Sequence, residues 1–255
     1  MLFRSKTRII SFSNHKGGVG KTTTTASVGT ILASKKHNVL LIDLDAQANL
    51  TASLYDGEVE NSIYTALIGK SELPIIKLNK YLDLVPASLQ LAMADLELAS
   101  VMAREKILSD LLEKVADKYE YILIDCPPSL GLLTLNALTA STDIIIPMVA
   151  EILPFKGLTM INDFVSMVQQ RLNPNAHVSG IIITRWETTN LSKTIEEKLR
   201  ENLGDIVFKT KIRKNVSLAE APLENKNIAE YAPKSSGAED YRALVDELIK
   251  KLKKG

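Results

Sequence analysis

Short apolar runs alternate with longer amphipathic stretches along the chain. Val39-Leu40-Leu41-Ile42, Tyr121-Ile122-Leu123-Ile124, Ile144-Ile145-Ile146 and Ile181-Ile182-Ile183 are β-rich and bounded by turn residues or acids. Each is too short for an independent helix and fits a strand buried on both faces. Another such run, Ile9-Ile10-Ser11-Phe12-Ser13, breaks into a glycine-rich turn. Between the runs, the spans 22–36, 103–118, 132–140, 157–171 and 191–203 read as helices. Strands alternating with helices predict βαβ units, hence an α/β fold with a doubly wound, mostly parallel sheet and helices on both faces. Ligands of such sheets sit at the carboxyl ends of the strands. The residues just after each apolar run are therefore the ones that carry chemistry.

Composition narrows the class without choosing within it. At 255 residues the chain is expected to form one α/β domain over 1–255. Its longest apolar run, 144–150, is far short of the roughly 20 residues that span a bilayer. Arg4, Lys6 and Arg8 are not followed by an apolar segment, so no signal peptide is expected and the chain reads as cytoplasmic. A single cysteine, Cys126, excludes an internal disulfide and cannot alone hold a metal cluster.

Residues 16–23 read Lys-Gly-Gly-Val-Gly-Lys-Thr-Thr, directly after the first apolar run. A strand, a glycine turn, then a lysine and a hydroxyl residue opening a helix form a cradle for polyphosphate. Glycines let successive N–H groups converge, Lys21 can reach the β- and γ-phosphates, and Thr22 can ligate Mg²⁺. The usual spacing places its first glycine at position 15, where this chain has His15, and a second lysine, Lys16, comes next. Two further runs end in acids: 39–42 in Asp43-Leu44-Asp45, and 121–124 in Asp125-Cys126-Pro127-Pro128. Asp125, after four apolar residues, fits a Mg²⁺-holding carboxylate. Asp43 and Asp45, two apart, face one side if the strand continues through them. Pro127-Pro128 and Gly131 suit a stiff loop with a hinge, a candidate γ-phosphate switch.

The lysine-bearing phosphate loop resembles the deviant Walker A of the ParA/MinD group of P-loop ATPases. Residues 43–51 resemble that family's second signature. The resemblance implies that Lys16, Gly17, Gly18, Val19, Gly20, Lys21, Thr22 and Thr23 bind ATP, and that Lys16 reaches a partner's phosphates in a nucleotide-sandwich homodimer. It further implies that Asp45 directs the attacking water and that Thr22, Asp43 and Asp125 serve the Mg²⁺. ATP rather than GTP is also favoured by the lack of Asn-Lys-x-Asp after the later strands. Residues holding the base are not legible; Thr184-Arg185 and the segment around Arg213 are candidates.

Net charge is +1, with 14 Lys+Arg against 16 Asp+Glu in residues 1–150 and 17 against 14 in 151–255. Lys209, Lys211, Arg213 and Lys214 crowd into six positions. Residues 210–222 and 233–241 resemble segments of ParA-type chromosome and plasmid partition proteins that lack an N-terminal helix-turn-helix. That resemblance implies nonspecific, nucleoid-level DNA binding through this basic cluster, with Lys193, Lys198, Arg200, Lys226 and Lys234 as further candidates. It also implies a ParB-like partner that stimulates slow hydrolysis. Relatives often carry an arginine in the loop where this chain has Trp186-Glu187-Thr188-Thr189. The span 241–254 places Leu244, Leu248 and Leu252 on one helical stripe and ends Lys-Lys-Leu-Lys-Lys. A MinD-like membrane helix is the alternative there, and a terminal helix packed on the sheet is the expected reading.

Overall fold

The structure, a computed structural model, describes residues 7–150 and 154–253. Arg4, Lys6 and Lys254 lie outside the described residues. In chain order the elements begin β1 (Arg8–Phe12), α1 (Lys21–Ser34), β2 (Val39–Asp43), α2 (Asn49–Leu54), α3 (Ile63–Leu67), β3 (Ile76–Lys77) and β4 (Leu82–Val85). They continue with α4 (Ala94–Glu97), α5 (Ile107–Glu113), β5 (Tyr121–Asp125), α6 (Leu132–Ala140), β6 (Asp143–Val149) and α7 (Pro154–Arg171). The last are β7 (His177–Thr184), α8 (Asn190–Leu203), α9 (Ser217–Glu220), α10 (Ile228–Tyr231) and α11 (Ser236–Leu252).

Seven strands form one sheet in the order β3-β4-β2-β5-β1-β6-β7, parallel except for the short edge strand β3. Within a strand, alternate side chains enter opposite layers. Ile10, Phe12, Leu41 and Leu123 pack with α1 and α11 on one face, whereas Ile9, Leu40, Ile42 and Ile124 pack with α3, α5 and α6 on the other. That two-sided burial is why the strands read as unbroken apolar runs.

The expected strands all form, and two more appear. Leu82-Asp83-Leu84-Val85 makes β4, with Asp83 half-buried within the strand, where it accepts a hydrogen bond from the Tyr119 hydroxyl at 2.7 Å. Its single acid disguises a buried strand. The helix expected over 103–118 is instead α5 flanked by 3₁₀ turns at Arg104–Lys106 and Ala116–Lys118. Ala103 adopts φ 52°, and Asn136 accepts the Leu108 amide and donates to the Arg104 carbonyl. That side chain on α6 fixes the turn, so tertiary contact overrides local helix propensity.

The terminal helix α11 buries Tyr241, Leu244, Val245, Leu248 and Leu252 against the sheet layer. Arg8 clasps its end, donating to the Leu252 carbonyl at 2.6 Å and standing 3.6 Å from Asp143. A cation at a helix C-terminus is electrostatically favourable. The apolar stripe is thus spent inside the fold, as expected for a packed helix. Among the described residues no helix is long and apolar enough to cross a membrane.

Gly180, on β7, packs closely against Phe208. A Cβ there would lie 2.1 Å from the ring of Phe208, which is buried at 1% exposure. Gly180→Ala should therefore overpack the core and cost about 1–3 kcal/mol. Thermal unfolding of this variant checks it, with a drop of several degrees expected.

Candidate functional site

The parallel register assembles the site. Phe12 pairs with Asp125, and Asp43 pairs with Asp125 on the other side, so three strand ends stand level. The glycine turn leaves β1 over the two carboxylates. Gly18 and Gly20 hold φ of 72° and 83°, a region that side-chain-bearing residues avoid. Gly20 is the N-cap of α1, and no side chain caps that helix. Its first amides are therefore available to an anion.

Lys21, Thr22 and Thr23 follow at the start of α1, with Lys21 nearly buried and its amine 3.3 Å from the Lys16 carbonyl. Burial lowers the Lys21 pKa, opposed by the nearby Asp125, Cys126 and Asp45. Lys16, Gly17 and Gly18 are exposed on the outer rim, and Val19 is buried beneath it. A cavity of about 420 Å³ opens beside Thr22 and Thr23, walled by Asn49, Ser53, Leu223 and Asn227.

Asp43 and Asp125 are both fully buried. Among the described residues neither oxygen of Asp125 accepts a hydrogen bond of good geometry, although the Thr22 side chain stands near. Burial pushes its pKa well up, the charge of Asp43 adds to this, and Thr22 and Lys21 pull the other way. A buried carboxylate left bare is costly. It fits a site completed by a cation that arrives with its own anionic ligand. Among the described residues no group of three or more His, Cys, Asp or Glu could hold a metal unaided. Few protein ligands plus ligand phosphates is how Mg²⁺ is held.

Asp43 differs. Its Oδ2 accepts from the amide and hydroxyl of Thr51 at 2.8 and 2.7 Å, and its Oδ1 accepts from the amide of Asp45 at 3.2 Å. Burial raises its pKa to about 6 despite those bonds. Asp45 is half-buried on the turn beyond β2, its Oδ1 accepting the Gln47 amide at 3.0 Å. Cys126 is buried and its thiol is pushed up to about 12 by desolvation, so it is unreactive.

Three further residues shape the site, and two of them, Asn14 and Thr51, were passed over by sequence reasoning. Asn14 accepts the Lys16 amide at 3.0 Å and donates to the Pro147 carbonyl, pinning the loop to β6. Thr184 donates to the carbonyls of Val19 and Met148 at 2.8 and 3.0 Å. Thr51 holds Asp43. For Asn14 and Thr51 the signal was a lone polar residue at a strand end or turn, too common to single out. Arg185, with φ 50°, reaches the Gly18 carbonyl at 3.4 Å. Of the two regions considered for a base, this one borders the phosphate loop.

The basic cluster lies elsewhere, on the segment running beside the end of β7. Arg213 is doubly bonded to Asp240 at 2.7 and 2.9 Å, and Lys214 meets Glu187 at 2.6 Å. Lys211 meets Glu196 at 2.6 Å and stands 3.8 Å over the Trp186 ring. Arg200 also bonds Glu196, and Lys226 faces Glu224 at 4.0 Å. Lys209 is exposed, its amide held by Glu247 at 2.7 Å. Lys211 and Arg200 share Glu196, and acids are interleaved among the other cations, while Lys226 lies by the cavity beside Thr22 and Thr23.

Comparison with known proteins places this geometry. Residues 7–178 match an AAA domain family. The chain is 42% identical over 247 residues to the sporulation initiation inhibitor protein Soj of Bacillus subtilis, covering 94% of this chain and 98% of that one. The chain belongs to the ParA/Soj family of P-loop proteins. A plasmid partition protein from Borrelia burgdorferi, solved with AMPPNP, superposes with a TM-score of 0.84 at 30% identity, over 96% of this chain and 99% of that one. A Mycobacterium smegmatis structure described as cobyrinic acid a,c-diamide synthase, with ADP and magnesium, gives 0.84 at 33% identity, over 97% and 96%. In this ParA/Soj member, Lys16 through Thr23, Asp43, Asp45 and Asp125 gather at one end of the sheet.

Glu196 offers a direct probe of the paired face. Burial works against its charged form, but the hydrogen bonds and charges of Lys211 and Arg200 prevail and hold its pKa below the ordinary 4.5. A depressed carboxylate contributes stability above its unfolded pKa and loses it as pH falls through the folded value. Emission from Trp186, the only tryptophan, should therefore shift on acidification below that range. Glu196→Gln should show the shifted emission already at neutral pH and lack the acid step.

Proposed function

We propose that this chain is a partition ATPase that segregates plasmid or chromosomal DNA. The observation that carries this reading is the buried Asp125, without a well-formed hydrogen bond, beside a glycine loop bearing two lysines. ATP lies along residues 16–23, its phosphates met by loop amides, the Lys21 amine and the Thr22 and Thr23 hydroxyls. Thr22 and Asp125 hold Mg²⁺, which supplies charge neutralisation on the phosphates. Asp43 supports that shell through the turn it organises. Asp45 orients the attacking water or takes its proton.

Lys16, exposed at the rim, serves a second copy's phosphates, so that two chains complete each other's sites. That dimer binds DNA without sequence preference on the nucleoid. Lys209, Lys211, Arg213 and Lys214 meet the phosphate backbone there, the last three exchanging acid partners for DNA phosphates. Slow hydrolysis, speeded by a ParB-like centromere-binding partner, releases it. The whole chain 1–255 acts as one ATPase domain in the cytoplasm. The Soj and Borrelia partition relatives support this reading over a membrane-positioning ATPase. So does α11, whose apolar stripe is already buried.

Binding to random-sequence duplex DNA with ATP, ADP or no nucleotide tests it. Binding only with ATP, falling about a hundredfold or more as salt rises from roughly 50 to 200 mM, is expected. Asp45→Ala should keep nucleotide affinity, lower turnover by about a hundredfold and persist on DNA. No DNA binding from protein that dimerises with ATP would remove the partition reading.

A further inference from the structure

The turn that carries Asp45 is closed by one buried side chain. Asp43 takes the Asp45 amide at one end of the turn and the Thr51 amide and hydroxyl at the other. Those donors occupy three of the roughly four lone-pair positions of a carboxylate. Thr51 is 5% exposed, and its hydroxyl, having donated to Asp43, accepts the Ala87 amide at 2.9 Å. Ala87 lies two residues beyond β4, the neighbour of β2. One hydroxyl therefore ties the turn to both strands.

The turn needs such a tie. Ala48, the residue before α2, sits at φ 51°, a strained conformation for a side chain with a Cβ. Helix α2 has six residues and no side-chain cap, too short to hold itself. Asp43 and Asp125 thus divide the work: the first is consumed in shaping the turn, and the second is left bare toward the phosphate loop.

We propose that Thr51 is a positioning residue for hydrolysis, acting through Asp43 to fix where Asp45 stands. This rests on the ATPase reading above. Without the hydroxyl, Asp43 loses its shortest bond and the Ala87 amide loses its acceptor, while the Thr51 amide bond remains. Asp45 then samples positions away from the one it holds here. Catalysis is sensitive to ångström-scale misplacement, whereas affinity for the phosphates rests on the glycine loop.

Thr51→Val and Thr51→Ser test it, the first keeping the shape and the second the hydroxyl. Steady-state hydrolysis, Mg–ADP affinity and amide hydrogen exchange over residues 45–48 are measured on all three proteins. The valine variant should lose roughly ten- to a hundredfold in kcat. Its KM and Mg–ADP affinity should stay within about threefold, since a loss confined to kcat marks an interaction made in the transition state. Exchange at 45–48 should quicken, and serine should restore both readouts. Parental kcat in the valine variant, an equal loss in the serine variant, or a parallel loss of nucleotide affinity would overturn the assignment. If the parent hydrolyses no ATP, the ATPase reading fails, and exchange alone decides: unchanged protection in the valine variant sinks the positioning role.

Discussion

Two carboxylates buried side by side at the ends of adjacent strands set the terms for the rest of this molecule. Asp43 and Asp125 share a register level and are both sealed from water. Like charges in a dry environment cannot both stand bare without compensation. The fold answers each differently. Asp43 is satisfied by a turn wrapped back on it, and Asp125 is answered only by the approach of Lys21 and Thr22. The glycine loop has to pass just where it does for those two residues to arrive. That requirement explains the left-handed Gly18 and Gly20, since no side-chain-bearing residue turns so tightly at low cost.

Holding that arrangement still is the work of uncharged polar residues. Asn14 and Thr184 fasten the loop to β6 and β7, and Thr51 fastens the following turn to β2 and β4. Each is almost wholly buried with its hydrogen bonds made. Such anchors specify one geometry because breaking any of them strands a buried donor or acceptor. The site is therefore a product of the whole parallel sheet rather than of the glycine loop alone.

The second half of the chain treats charge in the opposite way. Lys211, Arg213 and Lys214 are exposed or half-exposed and matched by acids within the same chain. Surface pairs of this kind contribute little stability and exchange readily. Under the partition reading, DNA phosphates compete with Asp240, Glu187 and Glu196 rather than meeting bare lysines. A face of that kind stays quiet until several contacts form together, which suits binding gated by assembly.

The sequence by itself determined five of the strands, the phosphate loop and the acids at two strand ends. Those features are local: apolar runs, glycines and a lysine–threonine pair carry their meaning at short range. The terminal helix was equally legible, since its leucine stripe needs a partner and α11 finds one. Other features were decided only by the tertiary structure. Asp83 hid β4 because a half-exposed position within a strand and a polar interruption look alike along a chain. Asn136 broke the helix expected over 103–118 from thirty residues away. Lys211, Arg213 and Lys214 read as a basic patch because their acids, Glu196, Asp240 and Glu187, lie elsewhere in the chain. The physical reason is the same in each case: a polar side chain declares its type in sequence, but only folding chooses its partner.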